Sequence, residues 1–167
     1  MSNDFVAILM GSDSDLPLVN NTLEVLKKFN VKCEVKITSA HRTPEVTKNY
    51  VKDAEERGCK VFVCAAGLAA HLAGAVAAMT IKPVIGIPVD CGPLNGVDAL
   101  YSTVMMPGGI PVATVAVGKA GAKNAGYLAA QIIAVADDEL SAKLKNERQQ
   151  CAEEVIAKDK ALQEKLC

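Results

Sequence analysis

The sequence predicts an α/β protein, a three-layer α/β/α sandwich built on a five-stranded parallel sheet, with a helical tail at its C-terminus. Two observations carry this prediction. Five short apolar runs alternate with stretches of helical length, which is the order expected of β-α units around a parallel sheet. The runs are apolar at nearly every position, which is typical of strands covered on both faces.

The predicted elements follow one another without a linker, a low-complexity tract or a repeat. Strands are expected at residues 5–10, 32–38, 60–65, 83–89 and 112–117, and helices at 16–29, 44–57, 69–79, 97–105 and 122–136. Pro17 and Pro44 fall in first turns of helices, where a missing N–H does no harm, and Gly58 suits a helix end. Thr43 is expected to cap the second helix. Five strands, and no Gly-x-Gly-x-x-Gly motif after the first, favour the flavodoxin-like strand order over the dinucleotide-binding one.

The 167 residues are expected to form one domain, long enough to bury a core without disulfides or metals. The core would span about residues 5–136. The charged stretch at residues 138–167 does not fit inside one three-layer unit and is expected to form a helical extension. Its apolar positions predict that it packs on neighbouring subunits: Leu140, Leu144, Val155 and Leu162.

Charge balance and cysteine spacing exclude several classes of protein. Eighteen basic and nineteen acidic residues give no basic footprint for nucleic acid or an anionic membrane. The start of the chain lacks a signal-peptide pattern, and the longest apolar tract is interrupted by glycine and histidine, so a cytoplasmic location is expected. The six cysteines lack metal-ligand spacing. Three of them lie in or beside predicted strands and are expected to be buried thiols: Cys33, Cys59 and Cys64.

Three loops that follow predicted strands hold unusual polar or small residues: 11–15, 39–42 and 66–74. The carboxyl ends of parallel strands meet at one edge of the sheet, where ligands bind. His41 is the candidate general acid/base, because an imidazole titrates near neutral pH and Arg42 lies beside it. Asp15 could accept hydrogen bonds from ribose hydroxyls. A phosphate would be held by the guanidinium of Arg42 and by the hydroxyls of Ser12, Ser14 and Ser39.

Each candidate also has a simpler interpretation. The serine-rich loop could be only a helix cap and turn, and Arg42 only a solvated charge. His71 begins an apolar helix, so a structural histidine that bonds a backbone carbonyl fits as well as a catalytic one. Cys91 lies in a loop but has no histidine near it in the sequence to activate a thiol. With only two histidines and no ligand spacing among the carboxylates, no metal site is predicted.

Six motifs follow one another along the chain. They are Gly-Ser-Asp-Ser-Asp at residues 11–15, Ser-Ala-His-Arg-Thr-Pro at 39–44, Ala-Ala-His-Leu at 69–72, and the segments 96–102, 106–112 and 118–125. Together they resemble the N5-carboxyaminoimidazole ribonucleotide mutase family of purine biosynthesis. The resemblance covers about residues 5–140, and its most specific part is the motif at residues 39–44.

The resemblance implies a flavodoxin-like enzyme that is usually octameric and uses neither a metal nor an organic cofactor. Such enzymes move a carboxylate of a small ribonucleotide from the exocyclic N5 to ring carbon 4. His41 would be the general acid/base, and the ribose phosphate end would be held by Ser12, Asp15, Ser39 and Arg42. The substrate would also contact Gly11 and Ala40. A second loop would close over the imidazole and the carboxylate, with Ala66, Gly67, Ala70, His71 and Leu72.

The chain departs from the family pattern at three places. Leu68 stands where the family commonly has glycine, Ala73 where it has proline, and Gly108 where it has a basic residue. Ala-Ala-His-Leu and Arg42 favour the mutase over its sister, which carboxylates aminoimidazole ribonucleotide directly with carbon dioxide. A non-catalytic module that binds a nucleotide or flavin is the third interpretation, although three Phe, three Tyr and no Trp offer little aromatic stacking.

Overall fold

The computed structural model describes residues 4–166, and a five-stranded parallel sheet runs through its centre. The strands are β1 (Phe5–Met10), β2 (Cys33–Ile37), β3 (Cys59–Ala66), β4 (Val84–Pro88) and β5 (Ala113–Thr114). Their spatial order is β2-β1-β3-β4-β5, and each neighbouring pair is parallel. The flavodoxin-like order predicted from the sequence is confirmed.

Within residues 4–166, six α-helices connect and follow the strands. They are α1 (Leu16–Lys28), α2 (Pro44–Glu56), α3 (Leu72–Ala77), α4 (Val97–Val104), α5 (Lys119–Ala134) and α6 (Asp138–Leu166). A short 3-10 turn at Asp13–Asp15, which the sequence analysis did not predict, leads into α1. No helix within residues 4–166 is long and apolar enough to cross a membrane.

Helices cover both faces of the sheet, which confirms the three-layer arrangement. On one face Val6, Ile8 and Met10 pack against apolar residues of α1 and α5. On the other face Phe5, Ala7 and Leu9 pack against α2 and α3. Because alternate residues of β1 point to opposite faces, all six must be apolar, which explains its continuous apolar run.

The last strand and its neighbours depart from the predicted boundaries. β5 pairs regularly over two residues only, although Val115 N and Gly118 N still donate to the carbonyls of Gly86 and Pro88 in β4. Helix α5 begins at Lys119, three residues earlier than predicted, directly after Gly118, whose φ is 73°. Helix α3 is shorter than the predicted 69–79, because the residues before Leu72 form a loop at the cavity described below.

The C-terminal extension is helical, as predicted, and its first half is anchored to the body of the chain. Leu140 and Leu144 are buried in a small cluster with Val25, Phe29 and Ala130. Glu147 then accepts hydrogen bonds from Lys28 Nζ at 2.5 Å and from Tyr127 Oη at 3.1 Å. Residues 148–166 are exposed along their whole length. The apolar side chains of this segment are therefore not buried against the described part of the chain.

Two of the three thiols expected in the core are there. Cys59 and Cys64 are buried, and burial raises the pKa of both thiols, that of Cys59 to about 11. Cys33 is only half-buried, because β2 lies at the edge of the sheet. These thiols behave as small apolar groups and not as nucleophiles.

Candidate active site

The three strand-end loops predicted to meet do meet, around a cavity of about 410 Å³ at the carboxyl edge of the sheet. The loop after β4 closes one side through Cys91. All but one of the site residues expected from the sequence line this cavity: Gly11, Ser12, Asp15, Ser39, Ala40, His41, Arg42, Ala66, Gly67, His71 and Leu72. Ala70 is the exception, since it is buried and does not line it.

The loop after β1 carries hydroxyls that organise one another. Ser12 Oγ accepts a hydrogen bond from Ser14 N at 3.3 Å and lies 3.0 Å from Ser14 Oγ. The interpretation of this loop as a cap and turn is therefore correct, but the same residues also line the cavity. Asp15 is half-buried beside them, and burial raises the pKa of its carboxyl above the ordinary value.

The loop after β2 is held from below by three threonine hydroxyls. Thr38 Oγ1 lies 2.7 Å from Thr47 Oγ1 and 3.2 Å from Thr43 Oγ1, and both Thr38 and Thr47 are buried. Ser39 N donates to Thr43 Oγ1 at 2.9 Å, and Ser39 Oγ accepts from Arg42 N at 3.2 Å. These bonds fix the backbone on both sides of His41.

The prediction that Thr43 caps α2 with its side chain is wrong. Its hydroxyl makes no capping bond to the helix; it accepts from Ser39 N instead and lies 3.2 Å from Ser39 O. The Ser39 N–H lies four residues upstream and competes with the helix for the same oxygen. The hydroxyl thus stabilises the loop and not the helix end.

Arg42 connects the first two loops. Its Nη2 donates to the carbonyl oxygen of Gly11 at 3.1 Å, across 31 residues of sequence. A guanidinium carries five N–H groups in a planar fork that matches phosphate. The side chain therefore lies where the serine hydroxyls of both loops can share an anion with it.

His41 and His71 are hydrogen-bonded to each other. His41 Nε2 lies 2.7 Å from His71 Nδ1, and the two rings are nearly perpendicular, at 81°. The sequence left two roles open for His71, a structural histidine bonded to a backbone carbonyl and a catalytic one. Nδ1 of His71 is bonded to the second imidazole and not to a backbone carbonyl. Since one nitrogen must donate and the other accept, the bond is lost when both facing nitrogens carry protons.

The half of the cavity over β3 and β4 is mostly apolar. Ala66, Leu68, Leu72 and Cys91 face it, and the two loops approach closely enough that a Cβ on Gly67 would come within 2.1 Å of Cys91 Sγ. Leu68 and Cys91 were not among the substrate-binding residues named from the sequence, although Leu68 lies in one of the loops expected at the site. Cys91 could have been found by the rule used for the other loops, because it too follows the carboxyl end of a strand.

The order of the strands separates two chemical environments. The hydroxyls, Asp15 and Arg42 lie over β1 and β2, whereas the apolar side chains lie over β3 and β4. The imidazole pair lies where the two halves meet, since His41 follows β2 and His71 follows β3. The arrangement can bind an anion at one end and transfer protons next to a small apolar compartment. No three His, Cys, Asp or Glu side chains among residues 4–166 are grouped to hold a metal ion.

Comparisons with known proteins agree with this geometry. A family model described as AIR carboxylase matches residues 5–154. The chain is 49% identical to the N5-carboxyaminoimidazole ribonucleotide mutase of Thermotoga maritima over 159 residues, 95% of this chain and 92% of the relative. It is 50% identical to the protein of the same name from Bacillus subtilis over 151 residues, 90% of this chain and 93% of the relative.

A solved structure gives the same result for the fold. The crystal structure of Treponema denticola PurE matches with a TM-score of 0.87 and 32% sequence identity, over 95% of this chain and 98% of that chain. The family model spans all of the loops that form the cavity. This chain belongs to the AIR carboxylase family, as its strand-end motifs predict.

Proposed function

We propose that this protein is an N5-carboxyaminoimidazole ribonucleotide mutase, an isomerase of purine biosynthesis. It moves a carboxylate from N5 to ring carbon 4 and gives 4-carboxy-5-aminoimidazole ribonucleotide. The observation that carries the proposal is the imidazole pair between a phosphate-binding half and an apolar half of one cavity. The names of relatives about half identical over nine-tenths of the chain favour the mutase among reactions that such a site could perform.

The ribose phosphate end of the substrate would lie over β1 and β2. Hydroxyls of Ser12 and Ser39 donate to the phosphate, Arg42 neutralises it, and Asp15 accepts from the ribose hydroxyls. This placement leaves the imidazole ring of the substrate beside His41 and directs its carboxylate toward Ala66 and Leu72. A cavity of about 410 Å³ has the size of ordinary small-molecule sites.

His41 acts first as an acid and then as a base. It gives a proton to N5 as the bond from N5 to the carboxylate carbon breaks, and the electron pair of that bond stays on the nitrogen. Carbon dioxide and aminoimidazole ribonucleotide result. Carbon 4 then attacks the carbon dioxide, and His41 removes the proton from carbon 4. One imidazole serves both steps because it returns to its starting state.

Confinement is as important as proton transfer in this scheme. The liberated carbon dioxide must stay beside carbon 4, and holding the two reactants together replaces a bimolecular encounter by a local one. A compartment of small apolar side chains excludes water and offers carbon dioxide no polar competitor. We assign the reaction no metal and no organic cofactor, because proton transfer and confinement account for every bond that changes.

Direct carboxylation of aminoimidazole ribonucleotide is the rival within the family, and the description of the family model names it. Initial rates measured with each of the two substrates decide between them. Rapid conversion of the N5-carboxylated ribonucleotide, with slow carboxylation of aminoimidazole ribonucleotide by carbon dioxide (bicarbonate with carbonic anhydrase), supports the mutase. The opposite preference would reject it. A protein that turns over neither substrate would be the non-catalytic nucleotide- or flavin-binding module.

We further propose that the chain assembles as a homo-octamer in the cytoplasm. Exposed apolar side chains support assembly: Val97, Tyr101, Val104 and Met105 on and after α4, Ile81 before β4, and Val155, Ile156, Leu162 and Leu166 on α6. Free cysteines among the described residues suit a reducing compartment. The near-neutral charge gives no reason to expect nucleic acid or membrane partners.

Truncation after residue 150 tests the role of the tail in assembly. This variant keeps Leu140, Leu144 and Glu147, which anchor α6 to its own chain, and removes only the exposed segment. We expect light scattering to show a smaller assembly while the thermal midpoint of the isolated subunit is retained. An unchanged assembly would show that the removed residues, 151–167, are not needed for subunit packing.

A further inference from the structure

The serine hydroxyls of the loop after β1 form a short chain of hydrogen bonds that ends on Asp13. Ser14 Oγ donates to Ser12 Oγ at 3.0 Å, and Ser12 Oγ donates to Asp13 Oδ1 at 3.1 Å. A serine hydroxyl has only one proton to give. In this structure the proton of Ser12 therefore points to Asp13, and a phosphate that takes a hydrogen bond from Ser12 must compete with that carboxylate.

Asp13 lies just outside the phosphate-binding half of the cavity. Its two neighbours in the sequence, Ser12 and Ser14, line the cavity, whereas Asp13 is exposed and does not line it. A phosphate oxygen bonded to Ser12 Oγ would lie within about 6 Å of the Asp13 carboxylate, because each of the two bonds to that hydroxyl spans about 3 Å. The carboxylate is thus a fixed negative charge beside the place where the phosphate of the ribonucleotide would lie.

The positive charge that the cavity offers to a bound anion is small. Arg42 is the only lysine or arginine among the described residues that line the cavity. Its planar fork can pair with one phosphate group. The loop after β1 adds no further cation to it, but two acidic side chains, the half-buried Asp15 and the exposed Asp13. The site therefore has one cation for one phosphate and no positive charge left for a second.

We propose that Asp13 is a specificity-determining residue, which restricts the site to ligands with a single phosphate group. Its carboxylate repels negative charge that extends beyond one phosphate, such as the second phosphate of a nucleoside diphosphate. Specificity of this kind arises from an unfavourable contact with the wrong ligand and not from a better contact with the right one. The inference deepens the proposed function and rests on its placement of the substrate phosphate over β1 and β2.

The test measures the binding of inorganic phosphate and of inorganic pyrophosphate by ³¹P NMR titration at neutral pH and low salt. Asp13→Asn removes the charge and keeps the size of the side chain, whereas Asp13→Glu keeps the charge. Asp138→Asn is the matched control, because Asp138 is also an exposed aspartate in the first turn of a helix and does not line the cavity. Arg42→Ala should weaken the binding of both anions, which locates them in the cavity. The kcat and KM for N5-carboxyaminoimidazole ribonucleotide are measured for the Asp13 and Asp138 variants.

The ratio of the pyrophosphate Kd to the phosphate Kd is expected to fall about three- to tenfold in Asp13→Asn, because a repulsive charge a few ångströms from the second phosphate is removed. The ratio should stay near the wild-type value in Asp13→Glu and Asp138→Asn. The effect of Asp13→Asn should shrink at high salt, because ions screen exposed charges. In the same variant the KM of the ribonucleotide should fall while kcat stays near that of wild type, a split that simple damage to the loop would not give.

The inference and the proposed function fail in different ways. An unchanged ratio in Asp13→Asn rejects this role of Asp13, while normal turnover leaves the mutase assignment intact. The role is also rejected if Asp138→Asn lowers the ratio as much, since net charge would then be responsible, or if wild type binds neither anion. A wild type that binds phosphate but does not convert the N5-carboxylated ribonucleotide rejects the proposed function, and the ratio of the two dissociation constants still decides the inference about Asp13.

Discussion

The Nε2 atom of His41 lies 2.7 Å from the Nδ1 atom of His71, so the candidate acid/base is hydrogen-bonded to a second imidazole 30 residues away. The bond fixes which ring nitrogen of His41 is engaged and which remains for the substrate. His71 acts on the reaction through His41 in this account, and we regard it as a positioning residue.

Two substitutions at His71 separate positioning from bulk. In His71→Asn the amide occupies roughly the place of Nδ1 and keeps a partner for His41, whereas His71→Leu removes that partner. We expect His71→Leu to lower kcat about 10- to 100-fold with little change in KM, because the orientation of the acid/base is lost. His71→Asn should retain most of the activity. Equal loss in both variants would indicate that the ring itself, and not its hydrogen bond, is required.

His41→Asn removes the only group in the account that donates and accepts the proton. Turnover should fall by at least about 10²-fold, the lower range for loss of acid/base catalysis, while binding of the ribonucleotide persists because the phosphate contacts lie on other residues. Rapid-quench turnover and calorimetric titration with the ribonucleotide measure the two effects. Near-normal turnover would reject His41 as the acid/base.

Thr47 is buried beneath the loop of His41, and its hydroxyl bonds Thr38 and the carbonyl of Thr43. Thr47→Val should cost about 1–3 kcal/mol of unfolding free energy, because the buried partners lose a bond. It should also lower kcat, since the loop backbone shifts. Thr22→Val is the control: Thr22 is equally buried and donates to Ala122 O at 2.7 Å, and neither residue lines the cavity. Comparable destabilisation with unchanged kcat in both variants would contradict a positioning role for Thr47.

Much of this fold could be predicted because the signals are local. Continuous apolar strands and helix-length intervals predict the layers, and the strand-end rule predicts where the polar loops meet. The bond between His41 and His71 could not be predicted, since it depends on β2 and β3 flanking β1 and on the course of both loops. The hydroxyl of Thr43 was assigned to the wrong partner for a similar reason: a capping bond and a loop bond are equally local in the sequence. β5 pairs with β4 over two residues only, which the apolar run at residues 112–117 did not predict.

Glu34 makes stability depend on pH. Its carboxylate accepts two hydrogen bonds from Arg57, at 2.9 and 2.5 Å, and one from Tyr50 at 2.6 Å. The Arg57 guanidinium holds the pKa of Glu34 below its ordinary value. Folding therefore favours the charged form, so the contribution is complete above the ordinary pKa and is lost as pH falls through the lowered one.

Urea unfolding at neutral pH and at about pH 3 checks this linkage. Between neutral pH and pH 3 the urea midpoint should fall more for wild type than for Glu34→Gln. The variant is less stable than wild type at neutral pH, but it has no carboxylate at this position whose stabilising charge could be lost in acid. Glu56→Gln is a suitable control, because the pair of Glu56 with Lys52 is exposed and spans 4.0 Å, and such pairs contribute little. Parallel acid limbs in wild type and Glu34→Gln would show that other groups govern the acid sensitivity.

The most direct test of the central claim follows the carboxylate itself. N5-carboxyaminoimidazole ribonucleotide labelled with ¹³C in its carboxylate is mixed with excess enzyme for a single turnover, in unlabelled bicarbonate with carbonic anhydrase. If His41 and the apolar half of the cavity transfer a retained carbon dioxide, ¹³C NMR will find the label in the carboxylate on carbon 4. An unlabelled carboxylate on carbon 4 would mean that the carbon came from solution, and the mutase account would be wrong.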